Sequence, residues 1–176
     1  MILTYLINAL LILFYCLFLR QTNIRQVAYQ FNFEETYKSV LRIMRKIEHI
    51  GIAVKDLEVS NLVFEKLFGA AAYKFEEVES EGVTTSFFKS GPNKIELLAA
   101  TNPESPIAKF LEKKGEGIHH IAFDVEDITA EIARMKKEGF VVLNDVPKKG
   151  ADNKLVAFLH PKSTNGVLIE LCQEIK

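Results

Sequence analysis

The chain has 176 residues, 48% of them hydrophobic, and a net charge of −1. This is enough for one domain or two small fused modules, and too apolar for a disordered chain. No basic tract marks a nucleic-acid partner. Two cysteines, Cys16 and Cys172, form neither a disulfide framework nor a CxxC pair, which suits a reducing compartment.

Residues Ile2–Leu19 are almost wholly apolar, a run at the short end for a membrane span. Arg20 and Arg25 follow it and no charge precedes it, so a span here would leave the remainder of the chain in the cytoplasm. As a cleaved signal it lacks a basic start and an A-x-A site. Met44 stands just before the first clear module, and a start there would give a compact single domain. The expectation is therefore that residues 1–43 are a start-site miscall, with an N-terminal anchor as the alternative. Residues 44–176 would form a cytoplasmic domain, meeting a membrane only if that segment is genuine.

From Met44 onward the pattern is regular. Ile47–Val54 reads as a strand, and Asp56 as the N-cap of a helix over Leu57–Phe68 that Gly69 stops. Ala71–Glu77 and Gly82–Lys89 read as hairpin arms, and Ile95–Ala99 as a last strand. Residues 101–116 form a linker with a short helix around Ile107–Lys113. The order then repeats. Ile118–Val125 is a strand, Asp127 caps a helix over Ile128–Lys137, and Gly139 ends it. Val141–Asn144 reads as a strand, Pro147–Asn153 as a loop, and Leu155–His160 and Val167–Cys172 as the last two strands. The fold class expected is α+β: two βαβββ modules, 44–100 and 117–176, related by a pseudo-twofold.

The repeat carries the chemistry. His49 and His120 are 71 residues apart on the first strand of each copy, and Glu96 and Glu170 are 74 apart on the last. Isoleucine and leucine flank both glutamates. A carboxylate pointing into such an interior costs several kcal/mol unless something compensates it. Two carboxylates and two imidazoles around one divalent cation are formally neutral, and the set suits Mn²⁺, Fe²⁺, Co²⁺, Ni²⁺ or Zn²⁺. Four protein ligands on an octahedral ion leave two positions open for substrate oxygens. His119, by strand alternation, faces away from His120 and reads as structural or as a support to it. His160 is a ligand by type but has no counterpart in the other copy.

Two βαβββ modules with His and Glu ligands resemble the vicinal oxygen chelate superfamily, which includes glyoxalase I. Within it IEHIGIAVKDL, SPIAKFL, GIHHIAFDV and HPKSTNGVLIEL, in that order, resemble the methylmalonyl-CoA epimerases. The resemblance covers Met44 to the C-terminus. It implies metal ligands at His49, Glu96, His120 and Glu170, with one divalent ion, Co²⁺ first and Mn²⁺, Ni²⁺ or Zn²⁺ as the others. It implies interconversion of (R)- and (S)-methylmalonyl-CoA by removal and return of the α-proton through an enolate, an acyl-CoA substrate, and a homodimer in propionate metabolism. Glu170 is the first acid/base expected, and Glu96 the second. Some members carry glutamine where Glu96 stands, and some carry a glutamate at the register of Thr85. The alternatives are a glyoxalase I-type isomerase, and a dioxygenase or binding module of the same fold.

Overall fold

The computed structural model describes residues 46–175. The apolar N-terminal run lies outside the described residues. Among the described residues no helix is long and apolar enough to cross a membrane.

Module one is β1 (Ile47–Ala53), α1 (Leu57–Phe68), β2 (Lys74–Val78), β3 (Val83–Ser90) and β4 (Asn93–Ala100). Helix α2 (Pro106–Lys114) links it to β5 (Gly117–Asp124), α3 (Ile128–Lys137), β6 (Lys148–Lys149), β7 (Lys154–Leu159) and β8 (Leu168–Glu174). Local chemistry sets the helix ends. The Asp56 carboxylate accepts from Val59 N at 3.0 Å, and Asp127 does the same for Ala130 N at 2.9 Å. Each bond satisfies one backbone donor that the first helical turn would leave orphaned. Gly69, at φ 69°, ends α1 in the left-handed region that a Cβ disfavours. Ser105 caps α2 with Pro106 in the first turn, where a missing N–H costs nothing.

The strands form one sheet in the order β2-β3-β4-β1-β5-β8-β7-β6. This order is a palindrome of equivalent strands, as the repeat requires. Strand β1 is parallel to β4 and β5 is parallel to β8, while β1 and β5 meet antiparallel at the centre. Alternation then sorts each strand. On β4, Ile95, Leu97 and Ala99 pack against α1, while Lys94, Glu96 and Leu98 line a cavity on the other face. On β8, Leu171 and Ile169 pack beneath α3, while Leu168 and Glu170 line the same cavity. Helices α1 and α3 thus cover one face with apolar contacts, while Ile107 of α2 packs with Leu98 at the cavity on the other.

The sheet curls, because its far edges meet. Lys74 on β2 pairs with Asp152 in the β6–β7 loop at 2.9 Å, and Lys148 on β6 pairs with Glu81 after β2.

Two local expectations are corrected. Val141–Asn144 is not a strand: a single bridge joins Val142 to Leu159. The residues that extend the sheet edge are Lys148 and Lys149, inside the segment read as a loop. The chain leaves β7 between these contacts, at Asn144–Pro147, where proline supplies no N–H. The second correction concerns strand faces. The β1–β5 register slips at Glu48 and again at His119, so each is the extra residue of a bulge. Strict alternation therefore fails at His119, which turns toward the cavity instead of away from it.

Phe88 anchors the first module, 1% exposed, stacked on Phe68 at 5.8 Å and tilted against Phe64 at 5.9 Å between ring centroids. Phe88→Ala is expected to cost about 3–5 kcal/mol, read as a lowered urea midpoint.

Candidate active site

Four side chains meet at the floor of the cavity. His49 on β1 and His120 on β5 bring their Nε2 atoms to 2.9 Å. Glu96 Oε2 lies 3.2 Å from His49 Nε2 and 3.7 Å from His120 Nε2. Glu170 Oε2 lies 3.2 Å from His120 Nε2 and 3.9 Å from His49 Nε2. The pattern is twofold: each glutamate sits nearer the histidine of its own module. All four residues are at least 94% buried. The structure thus brings together His49, Glu96, His120 and Glu170. It does not bring His160, whose Nδ1 accepts from Lys162 N at 3.0 Å and caps a turn.

The close approach depends on Gly51. Gly51 pairs with His120 across the β1–β5 seam, and a Cβ there would stand 2.2 Å from His120 Cε1. No L side chain fits without displacing the ring.

The donor set fits a divalent cation. Donors around an ion at about 2.1 Å sit about 3 Å apart when adjacent, and the imidazole–imidazole and nearest imidazole–carboxylate separations are 2.9–3.2 Å. Ligand atoms of His49, Glu96 and His120 all lie within 4.8 Å of one another. Buried groups of both signs crowd together here, and their proton affinities shift. Burial pushes the Glu170 carboxyl up to about 7, against the opposing pull of His49. Burial alone would lower the His49 imidazolium, but hydrogen bonds to Glu48 and Glu96 raise it to about 10. Burial, with His49 and His119 nearby, holds His120 well below its ordinary value.

Three further polar groups, Glu48, Lys94 and Asp152, carry no role in the sequence reading. Glu48, the bulge residue, is buried and accepts from His49 Nδ1 at 2.6 Å. Its other oxygen pairs with Lys94, which pairs in turn with Asp152. Burial would raise the Glu48 carboxyl, yet His49 and Lys94 bring it down to about 2. A charged residue next to His49 in an apolar strand was the available signal for Glu48. Nothing local marked Lys94 or Asp152. His119 Nδ1 lies 2.9 Å from His120 Nδ1, and burial lowers its pKa to about 4. Thr85 Oγ1 lies 2.9 Å from both Glu96 Oε1 and the Leu97 carbonyl, so its one proton can fix the outer oxygen of Glu96.

The cavity above this cluster measures about 340 Å³. One wall is charged, with Lys94, Lys148, Asp152 and Lys154. The other is apolar, with Val83, Leu98 and Ile107 beside His119. Such a site can hold a small polar group at the floor and pass a longer substituent outward.

Two predictions follow from the geometry. Gly51→Ala is expected to weaken Co²⁺ binding at least tenfold by calorimetry, since the ring it displaces is one of four donors. Proton release should depend on pH, because a cation displaces the proton held by His49 at any pH below about 10 and that held by Glu170 only below about 7. Release is expected to fall from about two protons per ion at pH 6 to about one at pH 8.5, measured in buffers of different ionisation enthalpy. Folding shows the opposite sign for Glu170. Its value is raised above the ordinary 4.5, so its contribution to stability falls as pH rises from 4.5 to about 7.

Comparison with known proteins identifies the family. Residues 48–158 match the glyoxalase/bleomycin resistance protein/dioxygenase superfamily. An ethylmalonyl-CoA/methylmalonyl-CoA epimerase of Cereibacter sphaeroides is 45% identical, over 73% of this chain and 97% of its own. The mitochondrial methylmalonyl-CoA epimerase of Homo sapiens is 40% identical, over 73% of both chains. A Streptomyces coelicolor methylmalonyl-CoA epimerase variant, solved in complex with 2-nitronate-propionyl-CoA, superposes with a TM-score of 0.71 at 36% identity. That match covers 73% of this chain and 94% of the other. The chain belongs to the glyoxalase/bleomycin resistance protein/dioxygenase superfamily, in the same family as the methylmalonyl-CoA epimerases.

Proposed function

We propose that this protein interconverts (R)- and (S)-methylmalonyl-CoA at a divalent cation held by His49, Glu96, His120 and Glu170. The observation that carries the reading is the pair of buried carboxylates, one from each module, about the two imidazoles at the floor of the cavity. Relatives named for this reaction, up to 45% identical, support it.

The substrate carbon lies between a thioester and a carboxylate, so its proton is acidified on both sides. A bound divalent cation would supply Lewis-acid stabilisation of the negative charge that develops on the substrate oxygens. The chain's own residues supply the rest. His49 and His120 present Nε2 from opposite modules and fix where the substrate's polar end sits. Glu170, a carboxylate at the floor of the cavity, can take the α-proton and return it as acid. Glu96 comes from the other module and serves the opposite face. The Thr85 hydroxyl holds its outer oxygen. The apolar wall excludes water, and the cavity mouth lets the CoA arm leave.

Co²⁺ is the expected ion, followed by Mn²⁺, Ni²⁺ and Zn²⁺, all suited to two nitrogen and two oxygen donors. The working unit is proposed to be a cytoplasmic homodimer, with residues 44–176 as the catalytic domain.

The test is exchange of the α-hydrogen of methylmalonyl-CoA with solvent deuterium, followed by chiral analysis. Wild-type protein with Co²⁺ is expected to exchange and racemise. Glu170→Gln is expected to lose about 10²–10⁴-fold in kcat while still binding the ion, because an amide coordinates weakly and cannot act as a base. His120→Ala should lose both ion and turnover. Turnover of a glutathione hemithioacetal in place of methylmalonyl-CoA would overturn the assignment in favour of a glyoxalase I-type isomerase.

A further inference from the structure

The four converging donors are symmetric about the pseudo-twofold, but the groups behind them are not. Both register slips in the central β1–β5 pairing fall on the residue just before a cluster histidine: Glu48 before His49, and His119 before His120. A bulge re-aims the extra side chain. Here each extra side chain reaches the Nδ1 of the next residue, the atom that faces away from the cluster. Glu48 Oε2 stands 2.6 Å from His49 Nδ1, and His119 Nδ1 stands 2.9 Å from His120 Nδ1. An imidazole that donates from Nδ1 must present its Nε2 lone pair to the cluster. Donation from both Nδ1 atoms would hold both rings in the orientation and tautomer that a cation needs.

The two holders differ in charge. Glu48 is a buried carboxylate, kept in place on its other oxygen by Lys94 and approached by Lys154 at 3.7 Å. Asp152 binds Lys94 from behind, so the row runs His49, Glu48, Lys94, Asp152. His119 is an imidazole and carries no negative charge, and it rests edge-on against the Phe110 ring, with centroids 5.0 Å apart. A carboxylate acceptor draws the Nδ1 proton more strongly than a neutral nitrogen does, so it leaves more electron density at Nε2.

We infer that Glu48 and His119 are paired positioning residues, each built on a bulge, that set the tautomer of His49 and His120 and make His49 the stronger donor of a symmetric pair. This inference rests on the proposed cation site, and the experiment separates the two. Co²⁺ affinity is measured by calorimetry, the ligand field by visible absorption, and the fold by melting of the cation-free protein. The proteins compared are the full chain and its variants Glu48→Leu, Glu48→Gln and His119→Leu. Failure of the wild-type chain to bind Co²⁺ would sink the site itself.

If the wild type binds, Glu48→Leu is expected to lose about 10–100-fold in affinity, with a shifted absorption spectrum. Lys94 keeps Asp152 as a partner in that variant, so melting should change little. Glu48→Gln keeps an acceptor oxygen without the charge and should recover part of the loss. His119→Leu should lose affinity too, but less than Glu48→Leu. Wild-type affinity and spectrum in Glu48→Leu would overturn the inference, as would a loss in His119→Leu equal to or greater than that in Glu48→Leu. If Glu48→Leu fails to fold, Glu48→Gln decides alone: a weaker site with a shifted spectrum supports the inference, and wild-type behaviour removes it.

Discussion

The antiparallel seam between β1 and β5 is the constraint on which the site depends. It lies on the pseudo-twofold and sets Gly51 opposite His120, and His49 opposite Ala122. Only small residues occupy the partner positions, so each imidazole can lie across the neighbouring strand. The result is two Nε2 atoms 2.9 Å apart in a buried place. The parallel pairings then add one carboxylate from each side, with Glu96 in register with Gly51 and Glu170 with Ala122. Four ionisable groups removed from water would cost several kcal/mol each if left uncompensated. The apolar layers under α1, α2 and α3 hold the sheet in shape against that cost.

The supporting charges are arranged unequally. Equivalent positions of the two modules hold Glu48 and His119, and Lys94 and Leu168, as the register to His49 and His120 shows. Each wall therefore draws on both modules, although their backbones repeat: Lys94 of module one joins Lys148, Asp152 and Lys154 of module two on the charged side, and Val83 and Leu98 of module one stand beside His119 of module two on the apolar side. The charged wall also closes the curl of the sheet. Asp152, in the loop before β7, takes Lys94 and Lys74 from module one at its two oxygens. One row of side chains thus connects the buried imidazole of His49 to the edge strand β2, and ties the loop that borders the cavity to the site it covers. A cavity with one charged and one apolar wall can orient a substrate that is itself polar at one side only.

Much of this could be read along the chain, and for definite reasons. Asp56 and Asp127 before apolar stripes, with glycines after them, marked the two long helices, because capping is a local interaction. Ile95, Leu97, Ile169 and Leu171 around Glu96 and Glu170 marked two strands with a polar residue turned against the apolar face. The 71-residue and 74-residue spacings paired the histidines and the glutamates. The errors fell where register matters. Alternation puts His119 on the wrong face because it assumes an unbroken ladder, and a bulge leaves no trace in composition. Apolar character points to Val141–Asn144 as the edge strand of module two, although Lys148 and Lys149 carry it.

The sequence by itself determined the repeat, the helix ends, the strand faces away from the seam and the four residues that converge, since all of these follow from neighbours a few positions apart or from two copies compared with each other. Tertiary structure alone decided the 2.9 Å meeting of the imidazoles, the bulges that turn Glu48 and His119 onto them, and the Glu48–Lys94–Asp152 row. Those depend on which residue faces which across separate strands, and on how far the sheet curls before its edges touch. Asp152 and Lys94 are 58 residues apart, and no local preference says that they will pair. The physical reason is that charge pairing acts through space at a few ångströms, whereas the sequence records order along the chain.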